Sequence, residues 1–217
     1  MTRSRTRFTL LICAMGLFGL LGLGAATSAQ ASTYNFLNLT ANDPGNAAAG
    51  EAQLGLEVTD LGGQQVLWRV SNTGTVTSVV EQVFWDLPAS LSYELEFGGG
   101  GGGAVSFSED NHPGNLPGGN SIGFETSVSF SADSPAPTKG VGLGEYADFR
   151  MTMDGPATYA DIIASLATGE TRLGLHVISF PNGGSEGFVN AVPVPGSLLL
   201  LGSGLVGLLG LRRRPRG

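Results

Sequence analysis

The central part of this chain lacks cysteine. The one cysteine of the 217-residue sequence is Cys13, close to the N-terminus. Residues 32–190 can therefore form neither a disulfide framework nor a cysteine-based metal site. A domain of about 160 residues without such cross-links has to be stabilised by an ordinary hydrophobic core, and it is long enough to bury one.

Basic residues are almost as scarce in the same stretch. Arg69, Lys139, Arg150 and Arg172 are its four basic residues, and it holds all 18 acidic residues of the chain. Residues 32–190 thus carry a formal charge of −14, whereas the whole chain carries −7. An acidic domain repels phosphate backbones, so we expect no nucleic-acid partner. Its charge suits a soluble, exported protein.

Long apolar runs are confined to the two ends of the chain. At the N-terminus, three arginines within the first seven residues precede an apolar stretch at residues 8–24, and the small-x-small site Ala29-Gln30-Ala31 follows. This is the pattern of a secretory signal peptide. We therefore predict an N-terminal signal helix within residues 1–31, delivery by the Sec translocon, and cleavage after Ala31 with Ser32 as the first mature residue.

The C-terminal residues 191–217 combine three different pieces. A proline-rich break, Val192-Pro193-Val194-Pro195, precedes an uncharged apolar run at residues 196–211. This run predicts a helix of about 24 Å, which crosses a hydrocarbon core of about 30 Å only marginally. Arginines after an apolar segment stop translocation on the cytoplasmic side. The predicted membrane segment includes Gly196, Leu198, Leu201, Gly204, Leu208 and Leu211, and the basic stop is Arg212, Arg213, Arg214 and Arg216.

This three-part tail, together with the N-terminal signal, resembles the PEP-CTERM sorting signal of exported proteins in Gram-negative, exopolysaccharide-producing bacteria. Val194 stands where that family usually has glutamate. The resemblance implies a transient inner-membrane anchor that an exosortase, a membrane-embedded cysteine transpeptidase, recognises and cleaves near the motif. It implies that the ectodomain then passes to the cell surface or the extracellular matrix. The family shares no single ectodomain activity, so the resemblance implies none.

The middle of the chain has the periodicity of β-strands. Apolar residues alternate with polar ones in several runs separated by Gly, Pro and Asn, which is typical of antiparallel sheets with one buried face. We therefore predict a mainly β fold, with residues 32–190 forming a single antiparallel β-sandwich or jelly-roll-like ectodomain. The runs are Leu54/Leu56/Val58, Val66/Trp68/Val70, Val83/Trp85, Leu91/Tyr93/Leu95/Phe97, Ile122/Phe124/Val128/Phe130 and Leu173/Leu175/Val177.

Two segments depart from this strand pattern. Thr158 and Asp161 fit a capping box, and Gly169 is a natural stop, so we predict one short helix between them. Six consecutive glycines at residues 98–103 predict a flexible loop or a hairpin connection, because a residue without Cβ has maximal conformational freedom.

A serine near the C-terminal end matches a catalytic pattern. Gly183-Gly184-Ser185-Glu186-Gly187 has the form G-x-S-x-G. A nucleophile elbow needs a helix directly after the serine, and none is predicted here. Both histidines, His112 and His176, also precede Ser185. A glycine-rich turn between the last strands explains the pattern better, and a secreted serine hydrolase centred on Ser185 is the most distant of our hypotheses.

Acidic loops offer a weak calcium hypothesis. Calcium takes about six to eight oxygen ligands, which Asp, Glu and Asn can supply. Neither candidate cluster has the EF-hand spacing, so solvated loop charge is the favoured interpretation and we expect no cofactor. The clusters are Glu109, Asp110 and Asn111 in one loop, and Asn42, Asp43 and Asn46 in another.

The sequence leaves two main functions open. Our leading hypothesis is a non-enzymatic structural or adhesive surface protein. The alternative is a carbohydrate-binding or calcium-assisted adhesion module, for which an exopolysaccharide is a possible partner. Trp68, Trp85 and Tyr93 would have to be exposed to form a sugar platform, but all three are in phase with aliphatic residues and are therefore predicted to lie in the core.

Overall fold

A computed structural model of the chain describes residues 30–192. Over this range the chain forms ten β-strands, three α-helices and one 3-10 helix at Gly119–Ile122. The helices are α1 (Pro44–Gln53), α2 (Ala136–Lys139) and α3 (Tyr159–Thr168). The strands are β1 (Ala31–Asn38), β2 (Leu54–Gly62), β3 (Gln65–Asn72), β4 (Val79–Asp86), β5 (Ser92–Gly101), β6 (Phe107–Glu109), β7 (Val128–Ala132), β8 (Glu145–Asp154), β9 (Arg172–Ile178) and β10 (Glu186–Asn190).

The strands form two antiparallel sheets that share β1. The strand order is β5-β8-β3-β2-β1-β10-β9-β4-β7-β6. The first half of β1, residues 31–35, pairs with β2, and its second half, residues 36–38, pairs with β10. A strand that changes sheets in this way lets two sheets face each other across one core. The predicted mainly β, antiparallel, sandwich-like fold is confirmed.

Aromatic side chains from both sheets fill the space between them. Trp68 on β3 meets Trp85 on β4 edge to face, with ring centroids 6.3 Å apart. Phe149 on β8 lies 5.0 Å from Trp85 and 5.2 Å from Phe130 on β7. Such edge-to-face pairs are favoured by the ring quadrupoles and add to the hydrophobic gain of burial. Both tryptophans are fully buried, as their position in the alternating pattern predicts.

The helices close the two ends of the sandwich, and two of them were not expected. The predicted helix is α3, with a complete capping box between Thr158 and Asp161 and a left-handed Gly169 after it. The prediction of a single helix was wrong, because α1 and the four-residue helix α2 also form. Asp43 accepts hydrogen bonds from the first-turn amides of α1, and Pro44 occupies its first turn. These are strong start signals, but the alanine-rich segment after them has little apolar periodicity.

The glycine run was also predicted wrongly, since its first part is strand. Residues 98–101 continue β5 and pair with β8, with Gly100 opposite Ala147 and Gly101 opposite Tyr146. A Cβ at Gly100 would lie 2.6 Å from Val105, and one at Gly101 would lie 2.6 Å from the Tyr146 ring. The missing side chains of these glycines therefore let neighbouring groups approach the strand closely. Composition alone does not distinguish a glycine-rich strand of this kind from a glycine-rich loop.

The first half of one predicted strand is a strap instead, and its second half is β7. Val128 belongs to β7, but Ile122 lies in the 3-10 helix and Phe124 in a loop. We call residues 111–127 the strap, because this segment crosses the outer face of the second sheet. Gly118 and Gly123 have positive φ angles of 79° and 61°, which break the extended conformation that the alternation suggested. A second small core beneath the strap contains Phe84, Leu116, Phe124 and Val189.

Candidate functional site

The sorting motif begins where the folded domain ends. All five residues of β10 are buried, between β1 on one side and β9 on the other. Asn190 accepts a hydrogen bond from the Leu173 amide at 2.7 Å, and the Ala191 amide donates to the Asn35 carbonyl at 2.7 Å. Val192, the next residue, is 43 % exposed. The fold therefore holds the chain up to Ala191, immediately before the motif.

The N-terminal junction is held in a similar way. The Asp60 amide donates to the Gln30 carbonyl at 2.8 Å, and Ala31 begins β1 opposite Thr59. Ser32, the predicted first residue of the mature chain, lies with its hydroxyl 3.2 Å from that of Tyr159 on α3. Ala29 lies outside the described residues, and the predicted cleavage after Ala31 stays a prediction.

Both junctions lie at the same end of the sandwich. Because β1 and β10 are antiparallel and Phe36 is opposite Asn190, the chain leaving β10 runs toward the start of β1. Ala191 is bonded at Asn35, five residues from Gln30, so the two exits are about 17 Å apart along β1. We call this end, which α3 covers, the exit pole.

The motif residues themselves are described only in part. Within residues 30–192 no helix has the length and apolarity needed to cross a membrane. Val192 is the one residue of the predicted motif in this range. Pro193, Val194, Pro195, the predicted membrane segment, the basic stop and the signal helix all lie outside the described residues.

A β-sandwich that ends directly before a proline-containing, apolar, arginine-terminated segment has the arrangement of an exported protein with a C-terminal sorting signal. Residues 191–214 match the family described as the PEP-CTERM protein-sorting motif. The match confirms the resemblance seen in the sequence, and it implies a transiently membrane-anchored chain that an exosortase handles. No curated protein and no solved structure matches the chain.

Among the calcium candidates of the first cluster, Asp110 is engaged in protein hydrogen bonds. The Asp110 carboxylate accepts from the hydroxyls of Ser129 at 2.6 Å and Ser131 at 3.0 Å. Glu109 ends the short edge strand β6, and Asn111 follows it in an exposed loop. Among the residues that the structure describes, no group of three or more His, Cys, Asp or Glu side chains is placed to hold a metal ion.

The second acidic cluster organises the start of α1. The Asp43 carboxylate accepts hydrogen bonds from the amides of Gly45 at 2.8 Å and Asn46 at 3.0 Å, as an N-cap does. The Asn46 side chain donates to Asn182 at 3.0 Å, which ties the helix to the turn before β10. The carboxylate and amide groups of this cluster thus serve capping and loop packing.

Ser185 lies in the turn before β10, with a strand rather than a helix directly after it. Its carbonyl accepts a hydrogen bond from the Asn42 side chain at 2.9 Å. His176 on β9 contacts Glu81 instead, with 3.2 Å between Nδ1 and the carboxylate oxygen. Burial lowers the pKa of His176 below its ordinary value, although Glu81 acts in the opposite direction. The geometry of a nucleophile elbow is therefore absent at Ser185.

The aromatic residues considered for a sugar platform are mostly inside. Trp68 and Trp85 are buried, and Tyr93 is half-buried on β5. Tyr93 lines a cleft of about 380 Å³ together with Glu94 and Glu109, at the seam between the two edge strands β5 and β6. Burial, and secondarily the charge of Glu109, raise the pKa of Tyr93 above its ordinary value.

The most buried acidic side chain of the domain is Glu186, which the sequence did not single out. It is 1 % exposed. Its carboxylate accepts hydrogen bonds from the Asn38 side chain at 3.1 Å, from the Thr40 hydroxyl, and from the amides of Asn42 at 3.1 Å and Asp43 at 2.7 Å. A charged residue directly before Gly187, Phe188 and Val189 was the available signal, but its partners lie more than 140 residues away.

These four donors determine the charge state of Glu186. Burial raises the pKa of this carboxyl, but the hydrogen bonds from Thr40, Asn38, Asp43 and Asn42 outweigh it and hold the pKa below its ordinary value. Glu186 is therefore an ionised, buried anchor at the end of the sandwich opposite the exit pole. It joins the start of β10 to the segment between β1 and α1.

Proposed function

We propose that this chain is exported, anchored transiently by its C-terminal apolar segment, and cleaved by an exosortase near Val192-Pro193-Val194-Pro195. The released domain then acts at the cell surface or in the extracellular matrix as a non-enzymatic structural or adhesive protein. The observation that carries the proposal is the match at residues 191–214. It begins one residue after β10 ends at Asn190.

The position of this boundary supports a cleavable signal. A cut within residues 192–195 removes no strand, no buried side chain of β10 and no hydrogen bond made by Asn190 or Ala191. The domain therefore keeps its full core after cleavage. A retained anchor would not require the motif to begin so close to the end of the last strand.

A structural or adhesive role for the domain is supported by where its polar groups lie. Glu186, Asp110 and Asp43 are each occupied by hydrogen bonds from the protein itself. The charge of −14 on residues 32–190 gives a soluble surface that resists self-association. We propose neutral exopolysaccharide as its matrix partner, because an acidic surface disfavours polyanions.

Intact-mass analysis of the protein purified from its native host tests the sorting proposal. We expect a product that lacks both the signal peptide and the segment from about Val192 onward. A Val194→Glu variant, which restores the residue usual in the family, should give at least as large a cleaved fraction. A variant with glutamine at Arg212, Arg213, Arg214 and Arg216 is the matched control and should accumulate uncleaved or mislocalised. A wild-type product that still carries residues 212–217 would overturn the proposal.

A further inference from the structure

The exit pole carries an unusual helix. On α3, Ile162 and Leu166 are buried in the main core. The opposite face, which we call the outer face of α3, consists of Ala160, Ile163, Ala164 and Ala167. The three alanines are exposed and Ile163 is half-buried. A surface helix normally carries charged or polar residues on its solvent side, but here the one charged residue is Asp161, which serves the capping box.

The outer face of α3 borders an apolar groove. The groove has a volume of about 500 Å³, with Tyr159 and the outer face of α3 on one side and the first residues of β1, including Ala31 and Ser32, on the other. Its walls thus include the point at which the N-terminal segment leaves the domain. Contiguous apolar surface of this kind marks a site of contact with a partner or a membrane.

The helix lies between the two exits of the chain. At its start, the Tyr159 hydroxyl lies 3.2 Å from Ser32 Oγ and donates to the Val58 carbonyl at 3.2 Å. At its end, a Cβ placed on Gly169 would lie 3.4 Å from a methyl group of Val192. A ten-residue helix is about 15 Å long, close to the separation of the two exits.

The short segment of residues 192–195, which we call the tether, leaves little room between the exit pole and the bilayer. Four residues, 192–195, separate Ala191 from the apolar run that begins at Gly196. The five steps from Ala191 to Gly196 reach at most about 18 Å when fully extended, and the headgroup layer itself occupies about 5–7 Å on each side of the hydrocarbon. The anchored domain is therefore held with its exit pole beside the lipid surface.

From the apolar outer face, its position between the exits and the short tether, we propose that α3 contacts the bilayer while the chain is anchored. The outer face of α3 and the groove beside it lie in the headgroup region, as the apolar face of an interfacial helix does. This inference rests on the proposed membrane anchor. Asp161 lies in the first turn of α3 and Glu170 follows its end, so anionic lipid should weaken the contact at low salt and added salt should restore it.

The test uses the predicted mature chain, residues 32–217, which contains no cysteine and no signal segment, reconstituted in phosphatidylcholine vesicles that are isolated by flotation. Ala164→Cys on the outer face of α3 is labelled with an environment-sensitive fluorophore. Thr138→Cys, on α2 at the opposite end of the domain, is the matched control. We expect a blue shift and roughly two-fold or greater quenching by brominated acyl chains at residue 164 alone, since an interfacial helix lies about 5–10 Å into the headgroup–acyl boundary. A further Ala160→Glu substitution should abolish both signals, with unchanged tryptophan emission showing an intact core.

The outcomes separate this inference from the proposed anchor. Chain that floats with the vesicles but gives the same aqueous spectrum at residues 164 and 138 overturns the α3 contact and leaves the anchor intact. Chain that does not float overturns both. A blue shift at residue 164 that occurs without vesicles and rises with protein concentration would assign the outer face to a second copy of the chain, and this too overturns the lipid contact.

Discussion

At the scale of single residues, Glu186 holds together two segments that are far apart in sequence. Its carboxylate accepts hydrogen bonds from donors within residues 38–43. The amide and hydroxyl dipoles that point toward the carboxylate stabilise its negative charge. Neutral glutamine has nearly the same shape but presents an NH₂ group, a donor, to part of this ring of donors. The substitution therefore removes the charge at nearly constant side-chain volume, and it also replaces one acceptor by a donor.

Glu186→Gln should lower the free energy of unfolding at neutral pH by about 2 kcal/mol, the scale of hydrogen bonds to a buried charge. The folded-state pKa of Glu186 lies below its ordinary value, so its contribution is complete above the ordinary glutamate pKa and is lost as the pH falls through the folded-state value. Urea unfolding of the full chain, followed by the emission of Trp68 and Trp85, measures this. The difference in the free energy of unfolding between wild type and variant should become smaller at acid pH.

The control for this prediction is Glu94→Gln on β5, where the side chain is exposed. Its effect should stay within about 0.5 kcal/mol at every pH. A loss for Glu186→Gln that is the same at neutral and acid pH would contradict the assignment of an ionised anchor, since it would arise from packing alone.

At the scale of elements, the strap depends on two glycines in the strands beneath it. A Cβ at Gly187 on β10 would lie 2.1 Å from the Pro117 carbonyl oxygen, and one at Gly174 on β9 would lie 2.5 Å from a Leu116 methyl group. At Gly187 the obstructing atom belongs to the backbone, whereas at Gly174 it is the end of a side chain. The structure should therefore relax more easily around a substitution at Gly174 than around one at Gly187.

We expect Gly187→Ala to destabilise the domain more than Gly174→Ala, both within the range of about 1–3 kcal/mol typical of overpacking. Leu116→Ala should reduce the cost of Gly174→Ala, because it removes the obstructing methyl groups, and should leave the cost of Gly187→Ala unchanged. Urea unfolding of the single and double variants measures both couplings. Gly114→Ala, in open space within the strap, is the neutral control. Equal coupling of Leu116→Ala to both glycines would show that the strap moves as a unit.

These glycines also show what the sequence could and could not predict. Alternation predicted β2 and β3, where buried residues alternate with half-buried ones, and β5, where half-buried residues alternate with exposed ones. It also predicted β9, where Leu173, Leu175 and Val177 are buried. It failed at residues 98–101 and in the strap, where the conformation depends on which distant groups approach a glycine. The sorting motif was found because its chemistry lies in consecutive residues. Glu186 was missed because its donors come from the other end of the chain.

At the scale of the whole molecule, the fold keeps the domain apart from the predicted signal peptide and the C-terminal sorting segment. The N-terminal and C-terminal segments leave the domain at the exit pole, through the neighbouring strands β1 and β10. The buried Glu186 carboxylate and its hydrogen-bond donors lie at the opposite end. Removal of either end segment therefore leaves the opposite end and the core untouched. In the proposed pathway, the domain that remains after both cleavages carries the acidic surface, and it lacks the arginines of the two chain ends.

This separation predicts a sharp stability boundary at Ala191. A chain that ends at Ala191 should match the full chain within about 0.5 kcal/mol in the same detergent, because Val192 is 43 % exposed and adds little burial. A chain that ends at Gly187 loses Phe188, Val189 and Asn190, all buried. Loss of Phe188 alone should cost about 3–5 kcal/mol, a large share of the roughly 5–15 kcal/mol that stabilises a typical domain. Urea unfolding by tryptophan emission compares the three chains. Similar losses for both truncations would mean that the motif itself stabilises the fold, and cleavage would then release a weakened domain.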